Sequence, residues 1–332
     1  MKWPMDWSGS ERKGMALLTV LLLVAVMSAV AVTILDDVRF SVRRATNVET
    51  QSQAQWYAAG AETLARDQIA RLLAAGPART PLEPAWNGRS SRFPIDGGTI
   101  TATVSDGQAC FNLNSLVLGF GEDLTARPLG GAQFRALGRA IGAPDSRTRA
   151  VADALTDWLD ADATPSPLGA EDGAYAGLAK PYRTGGVMLA EVSELRAVKG
   201  VDAETYRRLR PWVCALPTSR LSPLNINTLT PEQAPLLTML TNGALAPDRA
   251  RAVIAARPRD GWASPAAFWA QPALAAIQVD DEAREQITVT TRYFDLRVDV
   301  ELGGSRAVRT ALLEAGADGR VRTVIQRWTP EE

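Results

Sequence analysis

Glu11-Arg12-Lys13-Gly14-Met15-Ala16-Leu17-Leu18-Thr19-Val20-Leu21-Leu22-Leu23 is where the chain turns from a basic leader into unbroken apolar sequence. From Met15 to Leu35, 21 residues pass without a charge, and Thr19, Ser28 and Thr33 are the polar members. As a helix the run is about 31 Å long, enough to cross a bilayer core. Lys2, Arg12 and Lys13 precede it, which places the N-terminus in the cytoplasm and the bulk of the chain outside the inner membrane. A cleaved secretory signal fits less well. Its apolar region is roughly 7–15 residues, and no Ala-x-Ala cleavage site lies beyond the apolar run before the charges of Asp36 and Asp37. An uncleaved signal anchor is the plain alternative.

Downstream the helical signal continues. Met15 to Ala75 contains no proline and a single glycine, Gly60, before Pro77 and Pro81 stop it. Such a helix of 61 residues is about 90 Å long. In its second half Ala58, Ala61, Leu64, Ala65, Ile69, Leu72 and Leu73 recur at helical spacing on one face. The first half suits lipid all round. The second half is amphipathic and predicts a globular head packed along it.

A leader ending Lys13-Gly14 followed by Met15–Leu23 resembles the type IV prepilins and pseudopilins. The resemblance implies that a prepilin peptidase cuts after Gly14 and that Met15 becomes the N-methylated mature terminus. Most such proteins carry glutamate at the fifth mature residue; here Thr19 stands there. That departure, with the large size, is similar to the general secretion pathway protein K family, minor pseudopilins of the type II secretion system. The resemblance implies a structural role at the tip of a periplasmic pseudopilus, starting its assembly with I-type and J-type minor pseudopilins. It also implies a single-pass inner-membrane protein with a periplasmic C-terminal domain, no nucleic-acid partner and no enzymatic activity. A buried N-terminal ammonium is costly without a counter-charge. A subunit lacking the glutamate can borrow a neighbour's carboxylate but offers none to a subunit stacked beyond it, which suits a terminal position. Thr19 as a merely tolerated polar residue is the alternative.

Composition narrows the chemistry. The chain has 332 residues, no histidine, two cysteines, and 36 basic against 37 acidic residues. Imidazole acid–base catalysis, histidine metal sites and four-cysteine clusters are excluded. The near-neutral balance argues against a chain built to neutralise phosphates.

After Pro77 the chain reads as loop to Pro94. Thr99–Val104 then alternates as a strand, and Cys110–Asn114 supplies a short strand or turn. Ala132 to about Glu285 is mainly helical. Tyr293–Leu302 alternates, Gly303-Gly304 turns the chain, and Ala307–Ala315 and Val321–Trp328 flank an Asp318-Gly319 turn. Strands on both sides of a helical block predict an α+β fold: a pilin-like long N-terminal helix on an antiparallel sheet, with a large inserted all-α subdomain. The expected division is a leader at 1–14, a membrane helix at 15–35, a pilin-like domain at 36–115 and 286–332, and the insert at 116–285.

Within the insert, Glu191–Pro211 and the unit beginning Leu224–Glu232 look like helix–hairpin–helix or SAM-like pairs. In DNA-binding proteins such hairpins grip phosphate through backbone N–H groups. This leaves a second functional reading, an exported DNA-binding protein of the competence type. Lys199-Gly200-Val201 offers one glycine and the chain no basic excess, so a packing scaffold is the simpler reading.

Asp157, Asp160 and Asp162, joined by a loop to Glu171 and Asp172, form the richest polar cluster. Hard oxygen ligands without imidazole or free thiol favour calcium. A solvated acidic helix end and a hydrolytic carboxylate pair are the alternatives. The K-type resemblance adds a similar calcium-binding acidic segment. Cys110 and Cys214, in an exported domain, are expected to pair. Trp56, Tyr57, Trp158, Trp212, Trp262, Phe268 and Trp269 are expected in the core.

Overall fold

The computed structural model describes residues 8–328 apart from Glu122, with side chains from Met15 onward. Residues 1–7 of the expected leader lie outside the described residues. Helix α1 (Ser8–Ala75) is continuous over 68 residues, about 100 Å. Gly76 closes it, its N–H donating to the Leu73 carbonyl at 3.1 Å, and Pro77 prevents continuation. The helix is exposed on every side from Met15 to Glu49.

Five strands form one antiparallel sheet whose spatial order is the chain order: β1 (Arg89–Ile95), β2 (Gly98–Asp106), β3 (Tyr293–Leu302), β4 (Ser305–Ala315) and β5 (Val321–Arg327). Alternation puts Ile100, Val298, Val300, Leu296, Ala311 and Leu313 on the face toward α1, against Ala54, Ala58 and Ile69. The helix lies over β3 and β4 and meets β2 and β5 only at their margins.

The chain leaves the sheet at Asp106 and re-enters at Tyr293 as its immediate neighbour, Asp106 pairing with Phe294. The insertion therefore costs the sheet nothing. The Gly107 N–H donates to the Tyr293 carbonyl (3.0 Å), and Gln108 Oε1 accepts from the N–H groups of Arg292 (2.8 Å) and Tyr293 (3.2 Å). Side chains complete the seam, because backbone groups at such a branch have no ladder partner.

Between these strands lies a second hydrophobic core, built on α2 (Pro128–Ala140), α3 (Asp145–Leu159), α4 (Ala203–Leu209), α5 (Ala234–Leu240) and α6 (Pro247–Ala255). Cys110 and Cys214 form a disulfide beside a two-residue parallel pairing of Phe111–Asn112 with Val213–Cys214. A second parallel pairing, Leu224–Asn225 with Ile287–Thr288, closes the other half. Each half opens on the same pattern, Phe111-Asn112-Leu113-Asn114-Ser115-Leu116 and Leu224-Asn225-Ile226-Asn227-Thr228-Leu229. The second asparagine of each holds a distant backbone in both directions. Asn114 takes the Leu189 N–H (2.7 Å) and donates to its carbonyl (3.0 Å), and Asn227 does the same with Trp262 (2.8 and 3.0 Å). This duplication, 113 residues apart, is legible in the sequence.

Three expectations need correction. Arg89–Ile95 is a strand rather than loop. Its polar run lacks apolar alternation, and Pro94 is tolerated because β1 is the sheet edge. Trp56 is 76% exposed and Leu64 65% exposed, although aromatic character and helical spacing placed both in the core. The sheet is wider than the helix, so residues on that flank of α1 face a gap. In their place Glu62 is buried, ion-paired to Arg309.

Candidate functional site

The acidic cluster sits where α3 ends. Asp160 caps α3, its N–H donating to the Thr156 carbonyl at 2.9 Å, and its side chain turns inward at 6% exposure. Carboxylate oxygens of Asp160, Asp162 and Glu171 all lie within 4.8 Å of one another. Burial, then the charges of Asp162, Asp157 and Glu171, push the Asp160 carboxyl up to about 7. Burial and the charges of Asp157, Asp162 and Asp172 also raise Glu171. Asp160 Oδ1 and Glu171 Oε1 are buried without any hydrogen-bond partner. Three crowded acids, two of them with a buried oxygen left without a hydrogen-bond partner, form a donor set that fits a hard divalent cation.

The other two expected ligands are used differently. Asp157 is buried, and both its oxygens accept the Ser166 N–H at 3.1 Å, closing the loop that carries Glu171. Gly169 is required there, since a Cβ would stand 1.9 Å from Asp157 Oδ2. Asp172 Oδ1 accepts from the Thr184 N–H and hydroxyl, both at 2.9 Å. Those bonds, the N–H first, hold its carboxyl below the usual range. The structure thus brings Asp160, Asp162 and Glu171 together and assigns Asp157 and Asp172 to loop closure.

The hairpin after Val192–Ala197 does turn at Gly200, with φ +86°. Its surroundings disfavour an anion. Asp202 caps α4 by accepting the Thr205 N–H (2.8 Å), and Arg147 is engaged by Asp202 (2.9 Å) and the Gly200 carbonyl (3.2 Å).

In α1, Gly14 and Met15 lie within continuous helix. The Thr19 hydroxyl donates back to the Ala16 carbonyl at 2.9 Å, so it is satisfied without a neighbour. The window of mean hydropathy 2.8 within Met15–Ala75 is unburied, as expected of a candidate membrane span.

The sequence model described as type II secretion system (T2SS), protein K matches residues 109–218, and a second model of that description matches residues 224–290. The type II secretion system protein K of Pectobacterium carotovorum subsp. carotovorum is 38% identical over 96% of both chains. That of Aeromonas hydrophila is 38% identical over 93% of this chain and 94% of its own. A chain of the GspK–GspI–GspJ complex from the enterotoxigenic Escherichia coli type 2 secretion system superposes with a TM-score of 0.76 at 32% identity, covering 87% of this chain and 100% of that one.

Proposed function

The chain belongs to the type II secretion system protein K family, and on that premise we propose that it is a minor pseudopilin that caps the tip of the periplasmic pseudopilus and starts its assembly. The observation that carries this reading is α1, a rod of about 100 Å exposed on every side from Met15 to Glu49, with a wide head at its far end. In the membrane, lipid covers the apolar half. Once extracted, Leu17, Leu21, Val24 and Leu35 require sister helices to cover them. The head carries two cores side by side and is too bulky to be enclosed in a shaft of stacked subunits.

The relative seen in complex with GspI and GspJ supports I-type and J-type minor pseudopilins as partners. Prepilin peptidase would release the leader after Gly14 and leave Met15 as the methylated terminus, with the span in the inner membrane and residues 36–332 in the periplasm. The structural division would follow the insert at 116–285. Thr19 in place of a carboxylate leaves nothing to neutralise a further subunit's ammonium, as a terminal position requires. Asp160, Asp162 and Glu171 would hold a structural calcium ion, whose charge compensates the cluster.

The test is purification of the full chain from membranes after co-production with I-type and J-type subunits, with sequencing of its N-terminus. A stoichiometric complex starting at Met15 is expected. An intact Met1, or no partner retained, would sink the reading.

A further inference from the structure

Three parts of the fold meet at one buried carboxyl. Asp106 ends β2, and its N–H donates to Asn87 Oδ1 (2.9 Å), while Asn87 Nδ2 donates to the Thr228 carbonyl of the insert (3.1 Å). Thr291, just before β3, donates its N–H to Thr80 Oγ1 in the loop after α1 (2.8 Å) and accepts from Asn225 Nδ2 on its hydroxyl oxygen (2.8 Å). The Thr291 hydroxyl proton is then available to Asp106 Oδ2, 3.1 Å away. Thr228 is in conflict. Its hydroxyl stands 2.5 Å from Asp106 Oδ2 and 2.8 Å from the Asn225 carbonyl, with one proton to give. We propose that Asp106 is a proton-operated latch between sheet and insert. Neutral, it donates to Thr228 and leaves the Thr228 proton on the Asn225 carbonyl. Ionised, it takes that proton and slackens the loop at 224–229.

The internal duplication shows which bond this hydroxyl makes where no acid intervenes. Ser115 stands 113 residues before Thr228 in the repeated pattern, and its Oγ donates to the Asn112 carbonyl at 2.6 Å. Among the described residues it has no carboxylate partner. The bond to the carbonyl three residues back is therefore common to both halves, and Asp106 is what the second half adds. With Asp106 neutral every group is served: Oδ2–H to Thr228, Thr228 O–H to Asn225, and Oδ1 accepting the Gln108 N–H at 2.9 Å. On ionisation the proton passes to water through a cleft of about 280 Å³ that Asp106 lines, and the Thr228 hydroxyl turns to the carboxylate. The Asn225 carbonyl keeps the Thr228 N–H (3.1 Å) and loses its second donor. Leu224–Asn225 pairs with Ile287–Thr288, so the slack reaches the segment that returns to β3.

No ionic partner holds the carboxyl in one form. Its bonds come from hydroxyls and N–H groups alone. The charged groups that share its cleft are Asp295 and Arg297 of β3, Glu191 and Arg210 of the insert, and Arg327 of β5. Arg327 is paired with Glu191 (2.6 Å) and Arg297 with Asp299 (2.7 Å). On the return segment Arg292 is held by Glu314 (2.7 Å), and burial pushes the Tyr293 hydroxyl up to about 12. The loop at 224–229, Thr80 and Asn87 bring no charge. Burial pushes Asp106 up to about 6, so both of its forms are reached near neutral pH.

The latch does not depend on the family reading. The experiment is hydrogen exchange by mass spectrometry on the full chain in detergent and calcium, at pH 5 and pH 7.5, with rates corrected for the pH dependence of intrinsic exchange. Protection of 224–229 and 286–291 should fall about fivefold from the lower to the higher pH, the effect of one hydrogen bond. The duplicate segment 111–116 should hold its protection. Asp106→Asn, whose amide donates to Thr228 at either pH, should show no fall in any of these segments. Equal protection at both pH values, an equal fall in 111–116, or the same fall in Asp106→Asn overturns the latch. The contrast between the duplicate segments of the unsubstituted chain decides the matter even where the variant does not fold.

Discussion

Glu62 of α1 and Arg309 of β4 form a buried ion pair, Nε to Oε2 at 2.5 Å, across the interface that joins the rod to the sheet. Thr323 donates to the other Glu62 oxygen at 2.5 Å, and Arg309 also donates to Gln326. The network sets which turn of the helix faces which strand. Removing one partner strands the other in a dry interface, so Glu62→Ala should cost about 3–5 kcal/mol in chemical denaturation. The double replacement Glu62→Met with Arg309→Leu should recover most of that loss. A cost below 1 kcal/mol for Glu62→Ala would mean that apolar packing alone holds the register.

Calcium should raise the thermal midpoint of the protein, and a chelator should reverse it. At calcium a hundredfold above Kd the stabilisation is about 2.7 kcal/mol. Asp160→Asn and Glu171→Gln should abolish the shift, whereas Asp172→Asn should retain calcium dependence. Without metal, Asp160 is held above its ordinary 3.8, at about 7. Its contribution is therefore fully present below pH 3.8 and is lost as pH rises through 7. Metal-free protein should weaken across that window, and calcium should flatten the profile. Equal midpoints in calcium and in chelator would remove the site.

Asp106 sits at the branch where the insertion leaves the sheet. Its Oδ2 accepts from the hydroxyls of Thr228 (2.5 Å) and Thr291 (3.1 Å), and Oδ1 from the Gln108 N–H (2.9 Å). Burial outweighs these bonds and pushes the carboxyl up to about 6. The sign is that of a raised acid: its contribution is full below 3.8 and lost as pH rises through 6, by roughly 3 kcal/mol in total. Asp106→Asn carries no charge there, so its stability relative to the parent should climb between pH 4 and 7.5. A constant difference between the two chains over that range would contradict the assignment.

The Cys110–Cys214 disulfide closes a loop with a sequence separation of 104. Chain entropy gives such a closure about 4 to 5 kcal/mol as an upper figure. Cys110→Ser with Cys214→Ser should lower the unfolding free energy by about 2–5 kcal/mol. Intact mass with alkylation, before and after reduction, checks the bond in the parent.

The strands β2, β3 and β4 were legible because one face of each is buried, which forces alternation along the chain. β1 was not, because both its faces are largely open and no apolar period is imposed on it. Trp56 and Leu64 mark the same limit on the helix: spacing places them on the flank of the packed face, but the offset of the helix over the sheet decides that they stay uncovered. The Asn-x-Asn repeats at 112 and 225 were readable as a pattern, yet their purpose, gripping Leu189 and Trp262, depends on backbone that arrives much later in the chain.

What the amino-acid order alone determined was local and periodic: a rod uninterrupted by proline from Met15 to Ala75, an uncharged span within it, alternating strands around a helical block, and a side-chain inventory without imidazole. Tertiary structure decided which acids converge, that Asp157 and Asp172 serve loop closure, that Glu62 is buried while Trp56 is not, and that the insert leaves and rejoins the sheet between adjacent strands. The reason is distance along the chain. Periodicity is written within a few turns, whereas convergence depends on where loops tens of residues apart bring their ends.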